Sequence, residues 1–172
     1  MRNLLKPTIC AKNILCLNAD VLHKMHIKAL FVDVDNTLST HGSQLPFDGS
    51  IKWTQNIIKQ GIEIVIISNN YKSRVSPFAQ KYNLPFISFA MKPLPSAFLK
   101  AKKILNNSKI KNKECMAVGD QIFTDIIGAN LCNMQSALLE PIEEEKSFLL
   151  KTKRDFEKSL RKKLNIKPQK LT

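Results

Sequence analysis

At 172 residues, 44% of them apolar and 24% charged, the chain has the size and balance of one globular domain that buries a core without staples. Lys and Arg outnumber Asp and Glu by 27 to 14, a formal net charge of +13 that selects anionic partners: phosphate esters, nucleic acid or an acidic membrane surface. Cys10, Cys16, Cys115 and Cys132 lack C-x-x-C spacing and a nearby His pair, which argues against zinc and for a reduced, cytosolic compartment. The apolar run Ile14-Leu15-Cys16-Leu17 is far too short for a membrane span, and Pro7 and Lys12 interrupt any signal-peptide core.

Residues 1–28 scatter apolar positions among basic ones and read as an arm on the domain, with a short helix over 19–25 capped by Asn18. Residues 29–34 form an apolar, parallel-type strand whose polar groups gather at its carboxyl end. Side chains two apart leave a strand on the same side, so Asp33 and Asp35 face one pocket, where their repulsion raises a pKa or recruits a hard cation such as Mg2+. A loop over 39–49 leads to an amphipathic helix over 50–60, ended by Gly61, and then to a second buried strand over 62–67 that stops at Ser68-Asn69-Asn70.

The stretch 71–82 is mainly helical, Pro77 suggesting that the regular part begins just before it, and 84–90 is a third strand. Lys92-Pro93-Leu94-Pro95 then punctuates the chain before a helix over 96–105. A fourth strand, 115–118, runs into Gly119-Asp120, a helix covers 122–131, and 136–139 is a fifth short strand. A last helix over 143–164 spaces Leu149, Phe156, Leu160 and Leu164 on one face, and the chain from Lys151 onward carries nine Lys or Arg against Asp155 and Glu157.

Strand and helix alternate, which predicts an α/β, Rossmann-like three-layer sandwich with a mostly parallel central sheet. Three parts follow: an arm at 1–28, a catalytic domain at 29–140 and a basic amphipathic helix and tail at 141–172. Ligands bind such sheets beyond the carboxyl ends of strands, where Asp33, Asp35, Ser68 and Asp120 all lie.

Four motifs in order, Asp33-Val34-Asp35-Asn36-Thr37, Ser68, Lys92-Pro93 and Gly119-Asp120-Gln121-Ile122-Phe123-Thr124-Asp125, resemble those of haloacid dehalogenase (HAD) superfamily phosphatases. The resemblance implies that Asp33 is the nucleophile and Asp35 the acid and base. It implies that Mg2+ is held by the Asp33 and Asp120 carboxylates and the Asp35 carbonyl, and that Ser68 and Lys92 bind the transferring phosphoryl group. Asp125 would support the metal or Lys92 from behind, and Thr37 and Asn69 would hold phosphate or loop.

Only 23 residues lie between Ser68 and Lys92, and the loop after the first motif is short, which leaves no room for a large cap domain. Among lidless members, classed as subclass III, the chain is similar to the YqeG family in Leu5-Lys6-Pro7, in His26-Ile27-Lys28-Ala29-Leu30 running into the first motif, and in the basic tail. Eukaryotic relatives in that family dephosphorylate phosphatidylglycerophosphate. The expectation is therefore an Mg2+-dependent phosphomonoesterase at the cytosolic face of an anionic membrane, where the tail helix docks. Alternatives are a polynucleotide-end phosphatase or basic nucleic-acid-binding protein, disfavoured by the lack of a recognisable motif, and a catalytically silent interaction protein.

Overall fold

A computed structural model describes residues 3–143 and 148–169. Six parallel strands form one sheet in the order β1-β6-β5-β2-β3-β4. They are β1 (Ile9–Ala11), β2 (Ala29–Val32), β3 (Glu63–Ile67), β4 (Phe86–Ile87), β5 (Cys115–Gly119) and β6 (Gln135–Leu139). The helices are α1 (Ala19–Lys24), α2 (Ser50–Lys59), α3 (Lys72–Tyr82), α4 (Pro95–Ile104), α5 (Ile127–Leu131) and α6 (Phe148–Lys163).

The period of two divides the central strands between two cores. Leu30, Val32, Ile64, Ile66, Met116 and Val118 face Leu22 of α1, Trp53 and Ile57 of α2, and Val75 and Phe78 of α3. Their neighbours Phe31, Val65, Ile67 and Ala117 face Ala97, Phe98 and Ala101 of α4 and Ala129 of α5. Both faces of the sheet are thus covered, the arrangement that a wholly parallel sheet requires.

Register sets the site. Val32 lies opposite Ile66 on one side and Val118 on the other, so Asp33, Ser68 and Asp120 emerge within a residue or two of one level. The chain between β2 and α2, and again between β3 and β4, adds no large cap among the described residues.

Several boundaries differ from the expectation. The arm supplies β1, which pairs with β6, and its other edge is met by the tail where Gln169 N donates to Cys10 O at 3.0 Å. Pro77 sits inside α3, at an exposed position of the helix that begins at Lys72. β4 shrinks to two residues, and the 122–131 stretch is one π-helical turn, Ile122–Ile126, followed by α5.

Residues 144–147, expected to begin the last helix, and the side chain of Leu149 lie outside the described residues. Leu160 is partly buried against Cys10, Ile122, Ile126 and Leu138, so at that position the expected membrane-facing stripe covers the protein's own core. No helix among the described residues is long and apolar enough to cross a membrane.

Candidate active site

Asp33 continues the β2 ladder, its N–H bonded to Val118 O at 2.9 Å, and its carboxylate points into a buried acidic cluster. Asp33, Asp120 and Asp125 each place a carboxylate oxygen within 4.8 Å of the others. Lys92 neutralises part of this charge, with Nζ 2.8 Å from Asp33 Oδ1 and 2.6 Å from Asp125 Oδ1. Burial, partly offset by Lys92 and reinforced by Asp125, pushes the Asp33 carboxyl up to about 6. Burial alone would lower the Lys92 ammonium, but the Asp125 and Asp33 carboxylates outweigh it and hold Lys92 protonated above the usual lysine range.

Asp35 leaves this cluster. Its Oδ1 accepts from Gly42 N at 2.8 Å and Arg74 Nη2 at 3.2 Å, and its Oδ2 accepts from Asn70 Nδ2 at 2.5 Å. The two carboxylates of the first motif therefore occupy different surroundings, one among acids and a lysine, the other among three donors.

Asn69 clasps the Lys92 backbone in both directions, accepting from Lys92 N at 2.7 Å and donating to Lys92 O at 3.1 Å. Its amide is turned on the loop that carries Lys92. Ser68 is buried, and its Oγ accepts from Asn70 N at 3.2 Å, leaving the hydroxyl proton to donate elsewhere. Thr37 is buried too, its Oγ1 without a hydrogen-bond partner among the described residues.

Asp125, expected behind the metal ligands, brings an oxygen into the acidic cluster as well as bonding Lys92. The π-helical turn holds it there, with Gln121 N and Thr124 Oγ1 both donating to Oδ2 at 3.3 Å. Gly119 makes room: a Cβ there would stand 2.2 Å from Asp125 Oδ2.

Sequence reasoning missed Asn70, Arg74 and Arg161. Arg74 also donates to Ser43 O at 2.5 Å, tying the 39–49 loop to Asp35. A cation in the first turn of a helix runs against the helix dipole, and that mismatch was the signal in the sequence. Arg161 of α6 donates to Asp120 O at 2.7 Å and to Leu139 O at 3.0 Å, a long-range contact with no local signature.

A family model described as haloacid dehalogenase-like hydrolase matches residues 31–133. The chain belongs to the haloacid dehalogenase-like hydrolase family. It is 30% identical over 154 residues to "Probable phosphatase YqeG" of Bacillus subtilis (strain 168), covering 90% of this chain and 88% of that protein. The family fold recurs in a haloacid dehalogenase-like hydrolase from Brucella suis 1330, with TM-score 0.51, 11% identity and coverage of 74% of this chain and 88% of that one.

An uncharacterized protein from Listeria monocytogenes serotype 4b gives TM-score 0.55 at 16% identity, covering 70% of this chain and 85% of that one. The HAD-hydrolase YfnB of Bacillus subtilis, solved bound to magnesium, gives 0.50 at 15%, covering 62% and 50%. Within the family this chain is a phosphatase, and the match brackets Asp33, Ser68, Lys92 and Asp125.

Proposed function

We propose that this phosphatase hydrolyses a phosphomonoester with Mg2+ through an aspartyl-phosphate at Asp33, working at the cytosolic face of a membrane on a lipid-borne phosphate such as phosphatidylglycerophosphate. The observation that carries the chemistry is the separation of the two first-motif carboxylates, Asp33 on Lys92 and Asp35 on Gly42, Asn70 and Arg74. Paired carboxylates in different surroundings take different tasks.

The donor set suits a hard divalent cation, because three buried carboxylates converge against the Lys92 ammonium and oxygen ligands are what Mg2+ takes. Asp33, Asp120 and Asp125, with the Asp35 carbonyl, would hold the ion. Bound there, Mg2+ supplies the positive charge that lets a carboxylate approach a phosphate dianion.

Ionised Asp33 attacks phosphorus with a carboxylate oxygen as the bond to the leaving oxygen breaks. Asp35 gives its proton to that leaving oxygen, then takes one from the water that attacks the aspartyl-phosphate, returning Asp33 and releasing phosphate. Ser68 donates its hydroxyl proton to a phosphoryl oxygen, and Thr37 has a buried hydroxyl free to do the same. Lys92 balances the charge of the phosphoryl group and of Asp33. Asn69 keeps Lys92 in place, and Asn70 and Arg74 orient Asp35.

The lipid assignment is supported by the likeness to the YqeG family, by a site with no large cap and by the formal charge of +13. All four cysteines are free thiols, in keeping with a cytosolic location. The test is turnover of an aryl phosphate with Mg2+ and with EDTA, then a panel of phosphatidylglycerophosphate, nucleotides, sugar phosphates and 5′-phosphorylated polynucleotides. Full activity in Asp33→Asn would refute the mechanism. A higher kcat/KM on a polynucleotide end than on the lipid would refute the substrate class.

A further inference from the structure

The five most exposed large apolar side chains among the described residues are Leu45 at 75%, Tyr71 at 72%, Phe156 at 63%, Phe89 at 58% and Leu94 at 50%. Scattered apolar residues on a surface need no explanation, but these five are not scattered. Leu45 belongs to the 39–49 loop, whose Gly42 N and Ser43 O bind Asp35 and Arg74. Tyr71 follows Asn70, the amide on Asp35, and Phe89 N donates to Asn70 O at 2.7 Å. Leu94 closes the turn around Lys92-Pro93 by donating from its N–H to Met91 O at 3.0 Å. Phe156 stacks on Phe123, two residues past Gln121, whose N–H holds Asp125. All five therefore border the carboxyl end of the sheet, where the site lies.

The border is also ordered. The Tyr71 and Phe89 rings stack with centroids 5.8 Å apart, and Phe123 and Phe156 with centroids 5.7 Å apart, so these side chains hold one another and lose little freedom on meeting a partner. A phosphate group gains nothing from apolar contacts, so the border serves something larger than the scissile phosphate.

Charge chooses among occupants. Lys72 beside Tyr71, and Lys162 and Lys163 on α6, are exposed, and the chain as a whole is formally +13. A second copy brings like charge to this face, which opposes pairing. Nucleic acid bases use aromatic rings, but Leu45 and Leu94 offer no stacking plane. Aliphatic tips, a tyrosine and surrounding lysines together match the layered chemistry of an anionic bilayer: acyl chains, the interface and phosphate headgroups.

We propose that Leu45, Tyr71, Phe89, Leu94 and Phe156 form a docking rim that seats the active-site mouth on an anionic lipid bilayer, with Lys72, Lys162 and Lys163 facing the headgroups. The rim keeps Phe156 of the α6 stripe, leaves out Leu160, which is already committed to the core, and centres the membrane contact on the mouth of the site. It holds whichever phosphomonoester is cleaved.

The test is sedimentation of the full chain with phosphatidylglycerol vesicles and with phosphatidylcholine vesicles at low salt, neither of which carries a phosphomonoester. The intact protein pellets with the anionic vesicles and is released by high salt. Leu45→Ser/Tyr71→Ser/Phe89→Ser loses binding by about tenfold or more, as removal of buried apolar area at an interface does, while turnover of a soluble aryl phosphate is unchanged. Tyr71→Ser alone gives a smaller loss in the same direction and guards against misfolding of the triple variant.

An intact protein that stays in the supernatant overturns the rim, as does a triple variant that pellets like the parent. So does dissociation of an oligomer by the triple variant with vesicle binding unmoved, which would make a second copy the occupant. Retention on random RNA that only the rim variant abolishes, with no vesicle binding, would assign the rim to nucleic acid instead. Failure to turn over phosphatidylglycerophosphate would sink the lipid substrate and leave the rim standing.

Discussion

Asp33 is costly to the fold for the same reason that it is useful. Buried among Asp120 and Asp125, it keeps its proton to about pH 6, whereas an unfolded aspartate loses it near 3.8. Between those values the folded state binds the extra proton, so this group's contribution is full below about pH 4 and is lost as pH rises through 6. At about 1.4 kcal/mol per unit the loss is roughly 2–3 kcal/mol in metal-free protein. Melting in EDTA from pH 4 to 8 should show a falling Tm for the parent and a flatter curve for Asp33→Asn. Equal slopes would place the destabilising charge elsewhere. The same variant should lose turnover by at least about 10³-fold, as loss of a covalent nucleophile does. Asn69→Ala removes two bonds to the Lys92 backbone and should cost about 1–2 kcal/mol, with kcat falling more than KM rises if Lys92 acts on the transferring group.

At the scale of elements, β2, β3 and β5 were legible because each is a continuous apolar run ending in polar residues, the pattern that a doubly covered parallel strand imposes. The convergence of Asp33, Ser68 and Asp120 followed from that pattern and a parallel register. β1 was not legible, because three residues do not display a period and its pairing with β6 joins segments more than a hundred residues apart. Pro77 misled because a proline is expected near a helix start, and this one sits five residues into α3 at an exposed position.

The π-helical turn was hidden as well, since the contact that its Asp125 makes with Lys92 joins segments far apart in the chain. That turn rests on Gly119, which ends β5 with no side chain where Asp125 stands. Gly119→Ala forces a methyl to 2.2 Å from Asp125 Oδ2, so either the turn or the carboxylate moves. The expected cost is about 1–3 kcal/mol of overpacking, read by denaturant unfolding, with activity lost even at temperatures where the variant is folded. Wild-type activity in a stable Gly119→Ala protein would show that Asp125 need not stand where it does.

At the scale of the whole molecule, the amino and carboxyl ends of the chain complete the site from outside the matched catalytic core. β1 extends the sheet beyond β6, and Leu160 and Ile166 close a small core over Cys10, Ile122, Ile126 and Leu138. Ile122 and Ile126 belong to the turn that positions Asp125, and Arg161 holds the Asp120 carbonyl, so this outer core buttresses two of the three clustered carboxylates. The Cys10 thiol reports on it, because burial pushes its pKa up while Arg161 pulls the other way, and a thiol without thiolate is inert to alkylation. Leu160→Asp keeps the chain length but puts a charge on the apolar cluster, which will lift α6 away to keep that charge in water. Cys10 should then alkylate at least about tenfold faster at neutral pH, as an equilibrium opening that exposes a buried thiol does. Cys115 makes the internal control, its thiol held up to about 11 by burial in a separate core on the same face of the sheet, so a fast reaction there would report global unfolding instead. Phosphatase activity should fall with the rise in Cys10 labelling while Cys115 stays protected. Cys10 labelling without loss of activity would separate α6 from the site and limit Arg161 to a structural role.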